Sequence, residues 1–127
     1  MSDPKESTVL LVDDEEIILH MLTEALRQAG HKVVACSHSA DALAQFQDNP
    51  RDFDLVVTDQ TMPGLNGIEL LAELRKHRED LPAVVLSGIG SIISQENDED
   101  ERTIYLNKPG PLHELEESIT KLLRLEK

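Results

Sequence analysis

The sequence predicts an α/β domain in which a parallel β-sheet is covered by helices on both faces. Short solid apolar runs recur along the chain, and longer stretches with the apolar spacing of a helix separate them. A strand that is apolar throughout has no polar face to expose to solvent, so it is expected in a sheet that is buried on both faces. Five such strands alternating with helices predict a doubly wound sandwich.

The five predicted strands are rich in Leu and β-branched residues and are too short to be helices. A tight turn cannot join parallel neighbours, so each pair of strands needs a crossover connection. The predicted strands are Thr8–Val12, Lys32–Cys36, Asp54–Thr58, Ala83–Ser87 and Thr103–Leu106.

Four amphipathic helices are predicted from apolar residues that recur three or four positions apart. Gly30 is expected to end the first helix, and Pro111 to precede the last. Their apolar stripes are, in order, Ile17, Ile18, Met21, Leu22, Ala25, Leu26 and Ala29; Ala42, Leu43 and Phe46; Ile68, Leu70, Leu71 and Leu74; and Leu112, Leu115, Ile119, Leu122 and Leu123.

The connection between the fourth and fifth strands departs from this pattern. Ile89, Ile92 and Ile93 supply one apolar turn, but residues 95–101 are polar and acidic. We therefore expect a short or irregular helix at this crossover. No linker or repeat interrupts the chain, so residues 1–127 are expected to form one domain with its core at about residues 8–124.

Composition excludes several classes of function. The net charge of −13 argues against nucleic acid or an anionic membrane as a direct partner, and the absence of Trp removes a stacking platform for bases. The single cysteine, Cys36, excludes an internal disulfide and is expected to be a small core residue. The chain shows neither a membrane-length apolar run nor a signal peptide, which favours a cytoplasmic protein.

Polar side chains collect at the carboxyl ends of the predicted strands. Asp13 and Asp14 follow the first strand, Asp59 follows the third, Ser87 ends the fourth, and Lys108 comes just after the fifth. Ligands of open parallel sheets bind beyond these ends, so the five side chains are expected to converge. Their convergence predicts a binding site more strongly than any one of them does.

These residue types fit phosphoryl transfer to a carboxylate. Crowded carboxylates repel one another, and a hard cation with several waters, Mg²⁺, relieves the repulsion. The cation and Lys108 together can neutralise a phosphoryl group as it moves onto Asp59. Taken singly, Asp13 or Asp14 could merely cap the first helix, and Glu15 suits the positive end of the dipole of that helix. Lys108 alone would be a solvated lysine.

Four stretches of the chain resemble those of two-component response-regulator receiver domains. They are VLLVDDEE, DLVVTDQTMPGLNG, VVLSG and YLNKP, and the resemblance extends from about Thr8 to Leu123. It implies a flavodoxin-like sheet with strand order 2-1-3-4-5. It also implies a phosphorylation-dependent signalling switch in a two-component or phosphorelay system.

The resemblance implies a role for each residue of the site. Asp59 would accept the phosphoryl group from a phosphohistidine on a histidine kinase or a histidine phosphotransfer domain. Lys108 and Ser87 would contact the phosphoryl oxygens, and Tyr105 would move inward with Ser87 to change protein–protein contacts. The Mg²⁺ ligands would be Asp14, Asp59, Asp13 through water, and the backbone carbonyl of Thr61.

Two other functions compete with a phosphorylated switch. A pseudo-receiver would use the fold for binding alone, which the retained acidic residues and Lys108 argue against. A Mg²⁺-dependent hydrolase with an aspartate nucleophile would need an acid/base carboxylate two residues after Asp59, where the chain has Thr61. We therefore expect a regulator that catalyses only its own phosphotransfer and dephosphorylation, rather than an enzyme acting on outside substrates.

The downstream output is not predicted by the sequence. The resemblance implies that the crossover before the fifth strand forms part of the usual output face, and this is where the pattern is weakest. A Gly-Ala turn common in the family is replaced by Glu101-Arg102-Thr103, and Gly110-Pro111 follows Pro109 in place of a bulky apolar residue. The Leu-Ser-Gly turn is similar to that of receivers in hybrid sensor kinases, and a free single-domain regulator is the alternative.

Overall fold

A computed structural model describes residues 7–88, 101–108 and 112–125 of the chain. Within these residues a five-stranded parallel sheet has the order β2-β1-β3-β4-β5, which confirms the predicted order. The strands are β1 (Thr8–Val12), β2 (Lys32–Cys36), β3 (Leu55–Asp59), β4 (Ala83–Ser87) and β5 (Thr103–Asn107).

Four α-helices and one short 3-10 turn accompany the sheet in the described part of the chain. The 3-10 turn spans Pro50–Asp52. The crossover between β4 and β5, where a short or irregular helix was predicted, lies mostly outside the described residues. The helices are α1 (Glu16–Gln28), α2 (Ser39–Asp48), α3 (Gly67–Arg75) and α4 (Leu112–Leu125).

Alternate residues of each central strand enter two separate cores. On β1, Leu10 and Val12 face the core under α2 and α3, while Val9 and Leu11 face the core under α1 and α4. The sheet is therefore covered on both faces, as its apolar strands predicted. The larger fully buried helix residues are Phe46, Leu70 and Leu74 on one face, and Leu26, Ile119 and Leu122 on the other.

Three strand boundaries, on β3 and β5, differ from the prediction by one residue. Asp54 precedes β3. Its carboxylate accepts the backbone N–H of Thr8 at 2.7 Å, and its own N–H donates to the Thr8 carbonyl. Asp59 is the last residue of β3 rather than the residue after it. At the other end of the sheet, β5 extends to Asn107, which pairs with Ser87.

Four residues of the predicted apolar stripes are exposed rather than buried. Ile17 and Met21 on α1 are 79% and 59% exposed, and Ile68 on α3 and Leu112 on α4 also face solvent. A helix packed on one face of a sheet buries only part of its circumference, and these apolar stripes are wider than that part. Cys36 is buried, as predicted. Among the described residues, no helix is long and apolar enough to cross a membrane.

Candidate functional site

Three aspartates meet at the carboxyl edge of the sheet. Asp13 directly follows β1 and is fully buried, Asp59 ends β3 and is also buried, and Asp14 is exposed beside them. One carboxylate oxygen from each lies within 4.8 Å of the others. An octahedral Mg²⁺ with ligands at about 2.1 Å needs its oxygens about 3–4 Å apart, so small side-chain rotations bring these three oxygens into range.

Lys108 extends from the end of β5 into this acidic cluster. Its Nζ lies 3.0 Å from Asp13 Oδ2 and 3.5 Å from Asp59 Oδ1. Its backbone N–H donates to the carbonyl of Ser87, which ties the residue to the end of β4. The ammonium therefore lies where an anionic group bound to Asp59 would need a positive charge.

Burial and charge act in opposite directions on the ionisation of the site. Burial raises the pKa of Asp59 above its ordinary value, and the Asp13 charge adds to this, while Lys108 and a hydrogen bond from the Thr61 backbone oppose it. Burial alone would lower the pKa of Lys108, but the hydrogen bond to Asp13 and the surrounding carboxylates outweigh it and raise that pKa. Lys108 is therefore charged at neutral pH.

Ser87 and Tyr105 occupy neighbouring strands at this edge. Asp59 pairs with Leu86, so buried Ser87 comes one position further along β4. Its hydroxyl lies 3.4 Å from the carbonyl of Gly88, which is a long contact for a hydroxyl donor. Tyr105 is half-buried on β5 and packs against the core under α2 and α3. An inward movement of Tyr105 stays a prediction.

The loop after Asp59 is held by contacts to the start of α3. The Gln60 side chain accepts the N–H of Ile68 at 3.0 Å, and Asn66 and Glu69 form a reciprocal capping box. The spacing Asn-x-x-Glu of this box is visible in the sequence but was not predicted. The backbone N–H of Thr61 donates a hydrogen bond to the Asp59 carboxylate. The role of the Thr61 carbonyl as a cation ligand stays a prediction.

Gly67 lets α3 begin against the backbone of Asp59. A Cβ at this position would lie 2.6 Å from the Asp59 carbonyl oxygen and 3.0 Å from Gln60 Cα. We expect Gly67→Ala to lower the free energy of unfolding by about 1–3 kcal/mol, because the backbone must shift. Urea unfolding measures this. Gly88→Ala is the control, since a Cβ there meets nothing within 4 Å in the described structure; equal losses in both variants would contradict the steric explanation.

The predicted acidic residues and Lys108 therefore meet. One further residue of the site was not predicted from the sequence. Glu15 places Oε1 3.5 Å from Lys108 Nζ, although its sequence position predicted only a favourable charge at the start of α1. Asp13 is not the helix cap either: Glu15 occupies the N-cap position, and Asp13 Oδ1 accepts its backbone N–H at 2.9 Å. The contact between Glu15 and Lys108 joins residues far apart in the chain, so local spacing could not indicate it.

Comparison with known families decides the assignment. The family model described as response regulator receiver domain matches residues 9–120. The chain belongs to this family. Receiver domains are phosphorylation-dependent signalling switches of two-component systems, and the acidic pocket of this receiver domain is consistent with Mg²⁺-dependent phosphorylation of an aspartate.

Similar proteins include both long and short regulators. The DNA-binding transcriptional regulator NtrC of Rhizobium meliloti is 36% identical over 110 residues, which are 86% of this chain and 22% of that protein. The response regulator receiver protein CpdR of Brucella abortus is 30% identical over 116 residues, 91% of this chain and 95% of that protein. This receiver domain thus spans about a quarter or less of the NtrC proteins it matches.

Solved structures share the fold of this receiver domain. A receiver domain protein from Clostridium thermocellum has a TM-score of 0.87 at 29% identity, covering 94% of this chain and 96% of that one. The response regulator TrrA of Thermotoga maritima, in complex with Mg²⁺ and BeF, has a TM-score of 0.80 at 30% identity. The match covers 91% of this chain and 98% of that one.

Proposed function

We propose that Asp59 is the phosphoryl acceptor of this receiver domain and that a histidine kinase or histidine phosphotransfer domain is the donor. The observation that carries the proposal is the position of the Lys108 ammonium, 3.0 Å from Asp13 and 3.5 Å from Asp59. One positive charge thus lies between Asp59, the carboxylate proposed to react, and the buried carboxylate of Asp13.

The reaction needs no general base, because the acceptor is used as a carboxylate. An oxygen of Asp59 forms the new bond to phosphorus while the bond from phosphorus to the donor imidazole breaks and its electron pair returns to the ring nitrogen. Lys108 donates to a phosphoryl oxygen, and the Ser87 hydroxyl contacts another. Stabilisation of moving charge by fixed donors accounts for most of the catalysis in such transfers.

Mg²⁺ is the proposed cofactor, and it would supply charge neutralisation for the phosphoryl oxygens. Asp14 and Asp59 are the proposed direct ligands, together with the carbonyl of Thr61, and Asp13 binds through water. The fit rests on the three carboxylates, whose oxygens lie within 4.8 Å of one another, and on the exposure of Asp14, which leaves room for water ligands.

An apolar groove between α1 and α4 is the proposed docking surface for the phosphodonor protein. It begins beside Lys108, has a volume of about 240 Å³, and includes the exposed residues Met21 and Leu112. Apolar surface beside a reaction site marks a contact surface for a partner, which favours this groove as the surface that meets the phosphodonor. The other apolar residues lining it are Ile18, Leu22, Leu86, Leu106 and Leu115.

In this proposal the domain acts as a regulator and catalyses only its own phosphorylation and dephosphorylation. Output through Tyr105 and neighbouring surface, the single-domain extent of residues 1–127, and a cytoplasmic location remain predictions of the sequence.

Removal of the cation tests the proposal. Incubation with acetyl phosphate and Mg²⁺ should add one acid-stable, base-labile phosphate, detected by intact mass. An excess of EDTA should reduce uptake to background, because Lys108 alone leaves the aspartates and the phosphoryl group mutually repulsive. Addition of Mg²⁺ in excess of EDTA should restore uptake. Equal uptake with and without the cation would contradict the proposed metal site, and no uptake under either condition would contradict the proposed acceptor function.

A further inference from the structure

The Lys108 ammonium has a third carboxylate neighbour besides Asp13 and Asp59. Glu15 Oε1 lies 3.5 Å from Lys108 Nζ, the same distance as Asp59 Oδ1. The three carboxylates differ in position: Asp13 and Asp59 are buried, whereas the Glu15 side chain is 61% exposed. Glu15 therefore approaches the ammonium from the solvent side, the side from which a phosphodonor must come.

The position of Glu15 at the start of α1 does not by itself explain this contact. Glu15 is the N-cap residue, but its side chain makes no capping hydrogen bond to the helix. Its carboxylate turns instead to Lys108, at the end of β5. Glu16, the next residue, is also an exposed carboxylate in the first turn, but among the described residues it is not one of the carboxylates that pair with Lys108.

We propose that Glu15 is a positioning residue that slows phosphorylation of Asp59 by competing with the phosphoryl group for Lys108. This inference rests on the proposed function. In the resting state the ammonium is shared among Asp13, Asp59 and Glu15. As the phosphoryl group arrives, its oxygens need the same ammonium, and the Glu15 carboxylate becomes a like charge beside them.

The expected size of the effect is modest because Glu15 is exposed. Two negative groups that share one ammonium lie about 6 Å apart, and in a water-like dielectric their repulsion corresponds to about threefold in rate. Salt screens charges at this separation strongly, since the Debye length falls from about 10 Å at 0.1 M to about 3 Å at 1 M. The effect should therefore depend on ionic strength, whereas a change in packing would not.

Glu15→Gln tests the inference against the matched control Glu16→Gln, which removes the same charge from the same helix turn. With acetyl phosphate and saturating Mg²⁺ at low salt, E15Q should be phosphorylated about threefold faster than wild type. E16Q should be close to wild type, and the advantage of E15Q should vanish near 1 M salt. Glu15→Asp, with a shorter side chain and the same charge, should fall between wild type and E15Q.

A second readout reports the contact itself in the metal-free protein. The carbon-13 signal of the Lys108 ε-methylene should shift in E15Q and stay in place in E16Q. An E15Q rate equal to or below wild type, an equal gain in E16Q, or a gain that survives 1 M salt would each overturn the inference while leaving the acceptor function intact. If wild type itself takes up no phosphate, both the inference and the proposed function fail.

Discussion

Asp59→Asn should take up no phosphate from acetyl phosphate and Mg²⁺ under conditions in which the wild type is phosphorylated. The amide lacks the anionic oxygen that forms the bond to phosphorus, and among the described aspartates of the site the other buried one, Asp13, is already hydrogen-bonded to Lys108 and to the Glu15 backbone. Intact mass measures the uptake. Phosphate that persists in the variant would show that another residue is the acceptor.

The same substitution should leave the fold intact and make the metal-free protein more stable at neutral pH. Because burial and Asp13 raise the pKa of Asp59, its ionised form is disfavoured in the folded state. The neutral Asp59 carboxyl contributes to the free energy of unfolding below its ordinary pKa of 3.8. This contribution is lost as the pH rises through the raised pKa of the folded protein. The advantage of D59N in urea unfolding should therefore be larger at about pH 7.5 than near the ordinary pKa of the carboxyl group. A destabilised D59N would instead point to a structural role of the carboxylate.

Lys108→Met should lower the rate of phosphorylation by about 10²–10³-fold, the usual cost of removing one preorganised donor to a developing charge. The methionine keeps most of the aliphatic stem while it removes the ammonium that lies between Asp13 and Asp59. Single-turnover rates at saturating Mg²⁺ measure this loss. A rate within a few-fold of wild type would contradict the role of Lys108.

Lys76→Met is the matched control for this variant. Lys76 is an exposed lysine that pairs with Glu73 at the end of α3, whereas the start of that helix, at Gly67, lies against Asp59. The Lys76→Met variant should be phosphorylated at the wild-type rate. Circular dichroism should be used to check that K108M is folded at the assay temperature, because loss of the ammonium leaves Asp13 buried without its charged partner.

The architecture was predictable because it depends on patterns that repeat over many residues. Solid apolar runs located all five strands, and three of them have the predicted bounds. Convergence of Asp13, Asp14, Asp59 and Lys108 followed from sheet topology alone, since every carboxyl end of a parallel strand meets one edge. These inferences needed no knowledge of side-chain conformation.

What could not be predicted depends on individual contacts. Periodicity placed Ile17 and Met21 in a core stripe, but the arc of α1 that meets the sheet is narrower than the stripe, so both remain exposed. Glu15 was assigned only to the helix start, because its contact with Lys108 exists only after β1 and β5 occupy the same sheet. The exposed Met21 borders the groove beside Lys108, so one departure from the core pattern lies at the proposed donor surface.

The central claim, that Asp59 carries the phosphoryl group, is tested most directly by trapping it. The protein is phosphorylated with acetyl phosphate and Mg²⁺ and treated with borohydride, which reduces an aspartyl phosphate to homoserine, and the site is located by peptide mass spectrometry. The account predicts homoserine at position 59 alone, and none when Mg²⁺ is removed. Homoserine at position 13 or 14, or phosphate uptake with no homoserine at position 59, would contradict it.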